Sequence, residues 1–221
     1  MGISESIGEL EGRVTAAAER AGRSPTEITT IAVTKAVEPG FIKEAFECGI
    51  RHFGENRVQE ATLKMDHLTD LQPSPIWHMV GHLQTNKVKA AVRLFHIFHS
   101  IDSVRLAEAI SRNTQRDVSV LLQVNDSSET SKFGFRPTEV SSAAQYIVGL
   151  PHIEVMGLMT IAPLTIDSEK VRSVFRQLRQ LRDSMGLKHL SMGMTDDFEI
   201  AIEEGATMVR IGRAIFGSRR G

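Results

Sequence analysis

The stretches VSVLLQVN (Val118–Asn125) and IEVMGLMT (Ile153–Thr160) decide the fold. Each is a short run rich in apolar and β-branched residues, which is typical of a buried strand. A helix-like segment at 137–148 separates the two runs. Strand, helix and strand in this order predict two parallel strands that are joined by a helical crossover.

The same alternation extends toward both ends of the chain. Eight strands are predicted, at Ile31–Lys35, Ile50–Phe53, Trp77–Gly81, His96–Ser100, Val118–Asn125, Ile153–Thr160, His189–Ser191 and Thr207–Ile211. Eight repeats favour a closed (β/α)8 TIM-type barrel over an open doubly wound sheet. An amphipathic helix at 3–21 precedes them, and no linker interrupts the pattern, so we expect a single barrel domain over 1–221.

Composition excludes several classes of protein. The chain has 221 residues, with 26 Lys and Arg against 27 Asp and Glu, and a net charge of −1. Such a balance does not favour nucleic acid or an acidic membrane as partner. Cys48 is the single cysteine, which excludes a disulfide framework within the chain. The sequence has neither a long apolar run nor a signal-peptide pattern at its start, so we expect a cytoplasmic protein.

In a barrel of this type, function lies at the carboxyl ends of the strands. Lys35 ends the first predicted strand and should face the mouth of the barrel. Apolar neighbours would lower the pKa of its amine and make the neutral form a nucleophile. The alternative is an ordinary lysine whose charged end reaches solvent.

The turns after the last two strands form a candidate anion site. RIGRAIFG (Arg210–Gly217) leads from a strand through Gly212, and SMGMTDD supplies the Ser191 hydroxyl and the small residue Gly193. Backbone N–H groups in such turns bind phosphate in many barrels, although the same turns also occur without a ligand. Ser218 and Arg219 follow Gly217 in place of Lys and Ser or Thr, so a nucleotide P-loop is not expected.

Arg210 should point into the barrel, on the same strand face as Met208. A buried arginine needs a partner, which could be an acid in a structural ion pair or a ring nitrogen of a ligand. His78 and His82 are four residues apart but have no third ligand near them in sequence, so no metal site is expected.

Taken together, several motifs resemble the pyridoxal phosphate homeostasis protein family, the single-domain relatives of the barrel domain of alanine racemase. They are AVTK, HFGENRVQE, WHMVGHLQTNK, HSIDS, NDSSETSKFG, GLMTI, LSMGMTDDFEIAI and VRIGRAIFG, in the family's order from Ala32 to Gly217. The resemblance implies a barrel of fold type III that binds pyridoxal 5′-phosphate (PLP).

The resemblance also assigns roles to residues. Lys35 matches the lysine that forms an internal aldimine with PLP, and Arg210 matches the arginine that faces the pyridine nitrogen. The other implied contacts are the phosphate cradle of Ser191, Gly193, Gly212 and Arg213, the ring neighbour Asn56, and the cavity residues Met79, His82 and Met159. Arg213 and Arg57 depart from the family pattern, which commonly has a small hydroxyl residue and an aromatic residue at these two places.

The implied function is to hold PLP inside the cell and to buffer it or pass it to client apoenzymes. A charged arginine at the ring nitrogen discourages its protonation, which makes the cofactor a weak electron sink. Racemisation needs an acid or base on each face of the substrate carbon, and the only tyrosine, Tyr146, falls in a predicted outer helix. We therefore expect a binder with no robust catalytic activity. The related racemases dimerise through a second domain that this single-domain pattern lacks, so we also expect a monomer. The alternatives are a weakly active PLP-dependent racemase or lyase, and a barrel enzyme that binds a phosphosugar at the same anion site.

Overall fold

A computed structural model describes residues 2–125, 133–163 and 165–217. Eight parallel strands form a closed barrel in which each strand pairs with its neighbours in sequence and β8 pairs with β1. The strands are β1 (Thr29–Val33), β2 (His52–Glu55), β3 (Ile76–Met79), β4 (Ile97–Ile101), β5 (Val118–Gln123), β6 (Ile153–Met159), β7 (His189–Ser191) and β8 (Met208–Ile211). The predicted TIM-type barrel is confirmed, with most strand ends shifted by one or two residues.

Helices surround the barrel. They are α1 (Ile3–Arg20), α2 (Pro39–Glu47), α3 (Val58–Met65), α4 (Val88–Leu94), α5 (Val104–Asn113), α6 (Val140–Val148), α7 (Ser168–Ser184), α8 (Phe198–Glu203) and α9 (Arg213–Phe216). The extra helix α1 buries Ile3, Ile7, Leu10 and Val14, which recur at three- and four-residue steps on one face. It packs against α8, α9 and α2. No helix in the described part of the chain is long and apolar enough to cross a membrane.

Alternate residues of each strand face the helices or the inside of the barrel. The inside holds a small apolar cluster of Ile31, Leu121, Met159 and Met208, which is separate from the large core between sheet and helices. The other inward positions include His78, His99, Ser191 and Arg210, all buried. The Nδ1 atom of His99 on β4 lies 2.8 Å from the Oγ atom of Ser191 on β7. Because these strands are not neighbours, this contact must cross the barrel interior.

Met79 corrects one expectation. It follows His78, whose ring faces inward, so the Met79 side chain points to the opposite face of β3. Met79 is buried in the large core between the sheet and the helices. It therefore does not line the cavity that the sequence assigned to it, whereas Met159 does lie inside the barrel.

Candidate functional site

Lys35 lies in a turn at the mouth of the barrel, two residues beyond the end of β1. Its side chain is exposed, which fits the alternative of a lysine that reaches solvent and not an enclosure by apolar neighbours. The reason is that β1 ends earlier than predicted, at Val33, and the chain turns through Ala36 with a φ of 58°. The amine is thus open to a molecule that approaches from solvent.

The Lys35 turn adjoins the turn that follows β8. Ile31 pairs with Arg210 and Ala32 with Ile211, so the end of β1 lies beside Gly212. A Cβ atom added to Gly212 would lie 3.4 Å from the Val33 carbonyl oxygen. The predicted amine and the predicted anion site are therefore at the same rim, on neighbouring strands.

Hydrogen bonds from α3 hold the Lys35 turn on both sides. The Glu60 carboxylate accepts the Ala36 N–H at 2.5 Å, and the Lys64 ammonium donates to the Thr34 carbonyl oxygen. Lys35 itself makes no such bond among the contacts of the described residues, so its position is fixed through the two neighbouring residues rather than through its own side chain.

A buried ionic network lies behind this turn. Lys64 Nζ is 2.8 Å from Glu55 Oε1 and 2.6 Å from Glu60 Oε1, and the Thr34 hydroxyl donates to Glu55 Oε1 at 2.5 Å. Burial raises the pKa of Glu55 despite these favourable contacts. Its other oxygen, Oε2, has no hydrogen-bond partner among the described residues. Lys64 is therefore the cationic partner of the buried Glu55 carboxyl group.

The turns after β7 and β8 pack closely together. Gly193 has a φ of 93°, and a Cβ atom there would lie 2.6 Å from Ala201 Cβ, so only glycine fits. Its carbonyl oxygen accepts the Arg210 N–H at 3.0 Å. Arg213 is exposed at the rim and pairs with Asp196. The two glycines and Arg213 therefore occupy one side of the mouth, as the sequence predicts.

Ser191 lies deeper than expected. It is completely buried at the end of β7, and its hydroxyl contacts His99 and Arg210. Because both contacts engage the same hydroxyl, we correct its assignment from the phosphate cradle to the surroundings of Arg210. The turn above it offers another hydroxyl, that of the half-buried Thr195, which the sequence analysis did not single out.

Arg210 is a buried cation without a direct ion-pair partner among the described residues, although the Asp197 carboxylate lies close enough to interact with its charge. It is 5% exposed and donates to the Ser191 hydroxyl at 2.6 Å and to the Thr160 carbonyl oxygen at 2.8 Å. Among the described residues, no carboxylate lies within ion-pair distance of its guanidinium. Burial lowers the pKa of Arg210 to about 10, so it remains charged at neutral pH. The alternative of an acid in direct contact with Arg210 is therefore not observed: Asp197 acts on its charge only from beyond ion-pair distance. The cation leaves room for an acceptor on a ligand.

Three histidines continue from Arg210 through Ser191. His99 Nε2 lies 2.9 Å from His78 Nδ1, and His78 Nε2 lies 3.0 Å from His52 Nδ1. Burial lowers the pKa of His78 to about 3 and that of His99 well below its usual value. Sequence reasoning missed this chain. The available signal was the presence of histidine in three successive predicted strands, with two in the third, but the sequence does not show which of these side chains point into the barrel.

The remaining predicted residues lie around the mouth. His82 is exposed, its Nδ1 atom is 2.9 Å from Asp102 Oδ2, and its ring stacks on Phe133 with centroids 3.7 Å apart. Asn56 is half-buried directly after β2. Its backbone lies so close to Gly81 that any side chain at position 81 would clash with it. His82 and His78 make separate contacts, one at the mouth and one inside the barrel, so they do not form a pair.

Comparison with known proteins identifies the family. The family model for the N-terminal domain of alanine racemase matches residues 7–220. A protein from Aquifex aeolicus, named pyridoxal phosphate homeostasis protein, is 42% identical over 229 residues that cover 100% of both chains. The chain belongs to the pyridoxal phosphate homeostasis protein family.

Solved structures agree with this assignment. PipY of Synechococcus elongatus, determined with PLP bound, is 36% identical with a TM-score of 0.86, covering 97% of this chain and 100% of PipY. An alanine racemase of Clostridium difficile is 14% identical with a TM-score of 0.69, covering 95% of this chain and 56% of the racemase. The second likeness concerns the barrel fold alone. Most of the family motif at 125–134 lies outside the described residues.

Proposed function

We propose that this protein binds PLP covalently through Lys35 and keeps it available for client apoenzymes. The observation that carries the proposal is that an exposed amine just after β1 and a buried cation on β8 with no direct ion-pair partner lie at the same end of the barrel. Lys35 follows β1 and Arg210 lies on β8, and these two strands are hydrogen-bonded neighbours. The amine and the cation match the two ends of a ligand that has a reactive carbonyl group and a ring nitrogen.

The other groups at the mouth suit the rest of PLP. We assign the phosphate to the turns that contain Gly193, Gly212 and Arg213, because small residues there allow the backbone to approach an anion closely. We assign Asn56, His82 and Met159 to the neighbourhood of the ring. The Arg213 guanidinium lies at this rim, where its charge is balanced by Asp196, so we assign the phosphate contact there to the backbone and not to added charge.

The chemistry of the residues favours retention of PLP. The neutral amine of Lys35 would attack the aldehyde carbon, a C=N bond would form, and one water molecule would leave. Arg210 donates hydrogen bonds and keeps its charge, so it opposes protonation of a nitrogen placed beside it. An unprotonated ring withdraws electrons weakly, which favours storage over carbanion chemistry.

Tyr146 supports the same conclusion. It is the only tyrosine of the chain, it lies on the outer helix α6, and its hydroxyl donates to Glu108 at 2.9 Å. It therefore does not provide an acid or base at the mouth. We propose a monomeric PLP carrier without robust catalysis, in which the single domain over 1–221 is the working unit.

Absorption spectroscopy tests the proposal. Addition of PLP to the purified protein should give the visible band of a protonated C=N bond, and Lys35→Ala should abolish this band. Lys89→Ala is the matched control, since Lys89 is an exposed lysine on α4, and it should leave the band unchanged. A wild-type spectrum that stays the same as that of free PLP, or a band that survives in Lys35→Ala, would contradict the proposal.

A further inference from the structure

The hydrogen bonds around Ser191 have a single consistent direction. A guanidinium can only donate, so the Ser191 oxygen must accept from Arg210. Ser191 is completely buried, and a hydroxyl proton without a partner would be costly there. The remaining contact of its oxygen is His99 Nδ1 at 2.8 Å, so the hydroxyl donates to that nitrogen.

This direction fixes the proton of each histidine. Because His99 Nδ1 accepts, its proton lies on Nε2, which donates to His78 Nδ1 at 2.9 Å. His78 must then carry its proton on Nε2 as well and donate to His52 Nδ1 at 3.0 Å. All bonds therefore point away from Arg210, which is the orientation that a neighbouring positive charge favours.

We propose that His99, supported by His78 and His52, is a positioning residue for Arg210 and acts through the Ser191 hydroxyl. The proposal rests on the function assigned above, in which Arg210 faces the ring nitrogen of PLP. As the acceptor for the Ser191 proton, His99 turns an oxygen lone pair toward the guanidinium. The Thr160 carbonyl oxygen accepts a second N–H group of Arg210, so the plane of the guanidinium is held at two points.

The burial of His78 and His99 keeps this arrangement rigid. His78 and His99 are completely buried, and both stay neutral because burial disfavours their charged forms. Neutral imidazoles can accept at one nitrogen and donate at the other, which a charged imidazole cannot do. Only His52, which begins β2 and is half-buried, reaches partial contact with solvent.

Nitrogen NMR of the unliganded wild-type protein tests the direction of the hydrogen bonds along the three histidines. At pH 7, His78 and His99 should both give the signals of neutral rings protonated at Nε2. The guanidinium N–H signals of Arg210 should be resolved, because two acceptors restrict its rotation. A ring protonated at Nδ1, or a charged ring, at either histidine would overturn the proposal.

Two variants of His99 separate positioning from mere packing. His99→Asn can place its side-chain oxygen near the position of Nδ1 and keep an acceptor for Ser191, whereas His99→Leu has none. In unliganded protein, the resolved Arg210 signals should persist in His99→Asn and be lost in His99→Leu. Equal signals in the two variants would contradict the acceptor role.

The same variants are then loaded with PLP that carries a nitrogen-15 label in its ring. His99→Leu should shift the ring-nitrogen signal and weaken PLP binding about tenfold, the effect of roughly one hydrogen bond, while His99→Asn should stay close to wild type. A ring signal that is unchanged in His99→Leu would overturn the positioning role. If wild-type protein fails to bind PLP, the proposed function fails, and the measurements on unliganded protein still test the direction of the hydrogen bonds along the three histidines. Should His99→Leu not fold, the nitrogen signals of wild type and of His99→Asn still test the acceptor role of His99.

Discussion

The two cations of the site, Lys35 and Arg210, are held in opposite ways. Lys35 is exposed in a turn, and hydrogen bonds to Thr34 and Ala36 on either side of it fix its backbone. Arg210 is 5% exposed, and its own guanidinium is fixed by hydrogen bonds. In the proposed function the amine reacts with PLP and needs freedom, whereas the cation beside the ring nitrogen needs a constant position.

The groups behind the two cations differ in the same way. The Lys35 turn rests on an ionic network in which Lys64 contacts two carboxylates. Arg210 rests on a chain of neutral groups, because burial lowers the pKa of His78 and His99. The ionic network should therefore be sensitive to loss of one charge, and the neutral chain should be sensitive to acid.

Lys64→Met should have the largest effect on stability. It leaves the buried Glu55 carboxyl without its cationic partner, and removal of one member of a buried pair costs about 3–5 kcal/mol. Urea unfolding at pH 7 measures the loss. The double variant Lys64→Met, Glu55→Gln should recover part of it, since no buried charge then remains unpaired. A loss under about 1 kcal/mol in Lys64→Met would show that the network does not support the turn.

Acid should weaken the fold through the histidine chain. The pKa of His78 falls from 6.5 to about 3 on folding, so the unfolded chain binds more protons than the folded chain between these values. The free energy of unfolding should therefore fall as the pH drops below 6.5, by about 1.4 kcal/mol per pH unit for each such histidine.

The comparison that isolates this effect is wild type against His78→Asn. Urea unfolding at pH 5 and pH 6 should give a smaller loss in the variant, because one titrating group is gone. The raised pKa of Glu55 acts in the opposite direction but is common to both proteins. Equal pH dependence in the two proteins would contradict the account of a buried neutral His78.

Arg213→Ser should have the smallest effect on stability. The ion pair of Arg213 with Asp196 is exposed, at 60% and 79% for the two side chains, and such pairs contribute at most about 1 kcal/mol. Thermal unfolding with and without 1 M salt measures it. A large loss of stability in low salt would indicate that the turn after β8 depends on this pair.

The sequence predicts the barrel well because each strand is a local pattern. The β-branched and apolar runs at 118–125 and 153–160 both correspond to observed strands. Strand ends are harder to predict. Lys35 is exposed because the chain turns at Ala36, which has a positive φ. The sequence AVTK does not indicate this turn.

The interior contacts depend on distant parts of the chain. Ser191 and His99 are 92 residues apart and meet only because β4 and β7 face each other across the barrel. Whether the Met79 side chain points into the barrel or toward the helices likewise depends on which side of β3 faces inward. A pattern of period two shows that His78 and Met79 are on opposite faces, but it does not say which face is inside.

Reductive trapping tests the central claim most directly, namely that Lys35 is the residue that bonds to PLP. The protein is mixed with PLP, reduced with borohydride and digested, and the labelled peptide is identified by mass. One labelled peptide is expected, and it contains Lys35. A label on Lys64 or another lysine, with Lys35 unmodified, would contradict it.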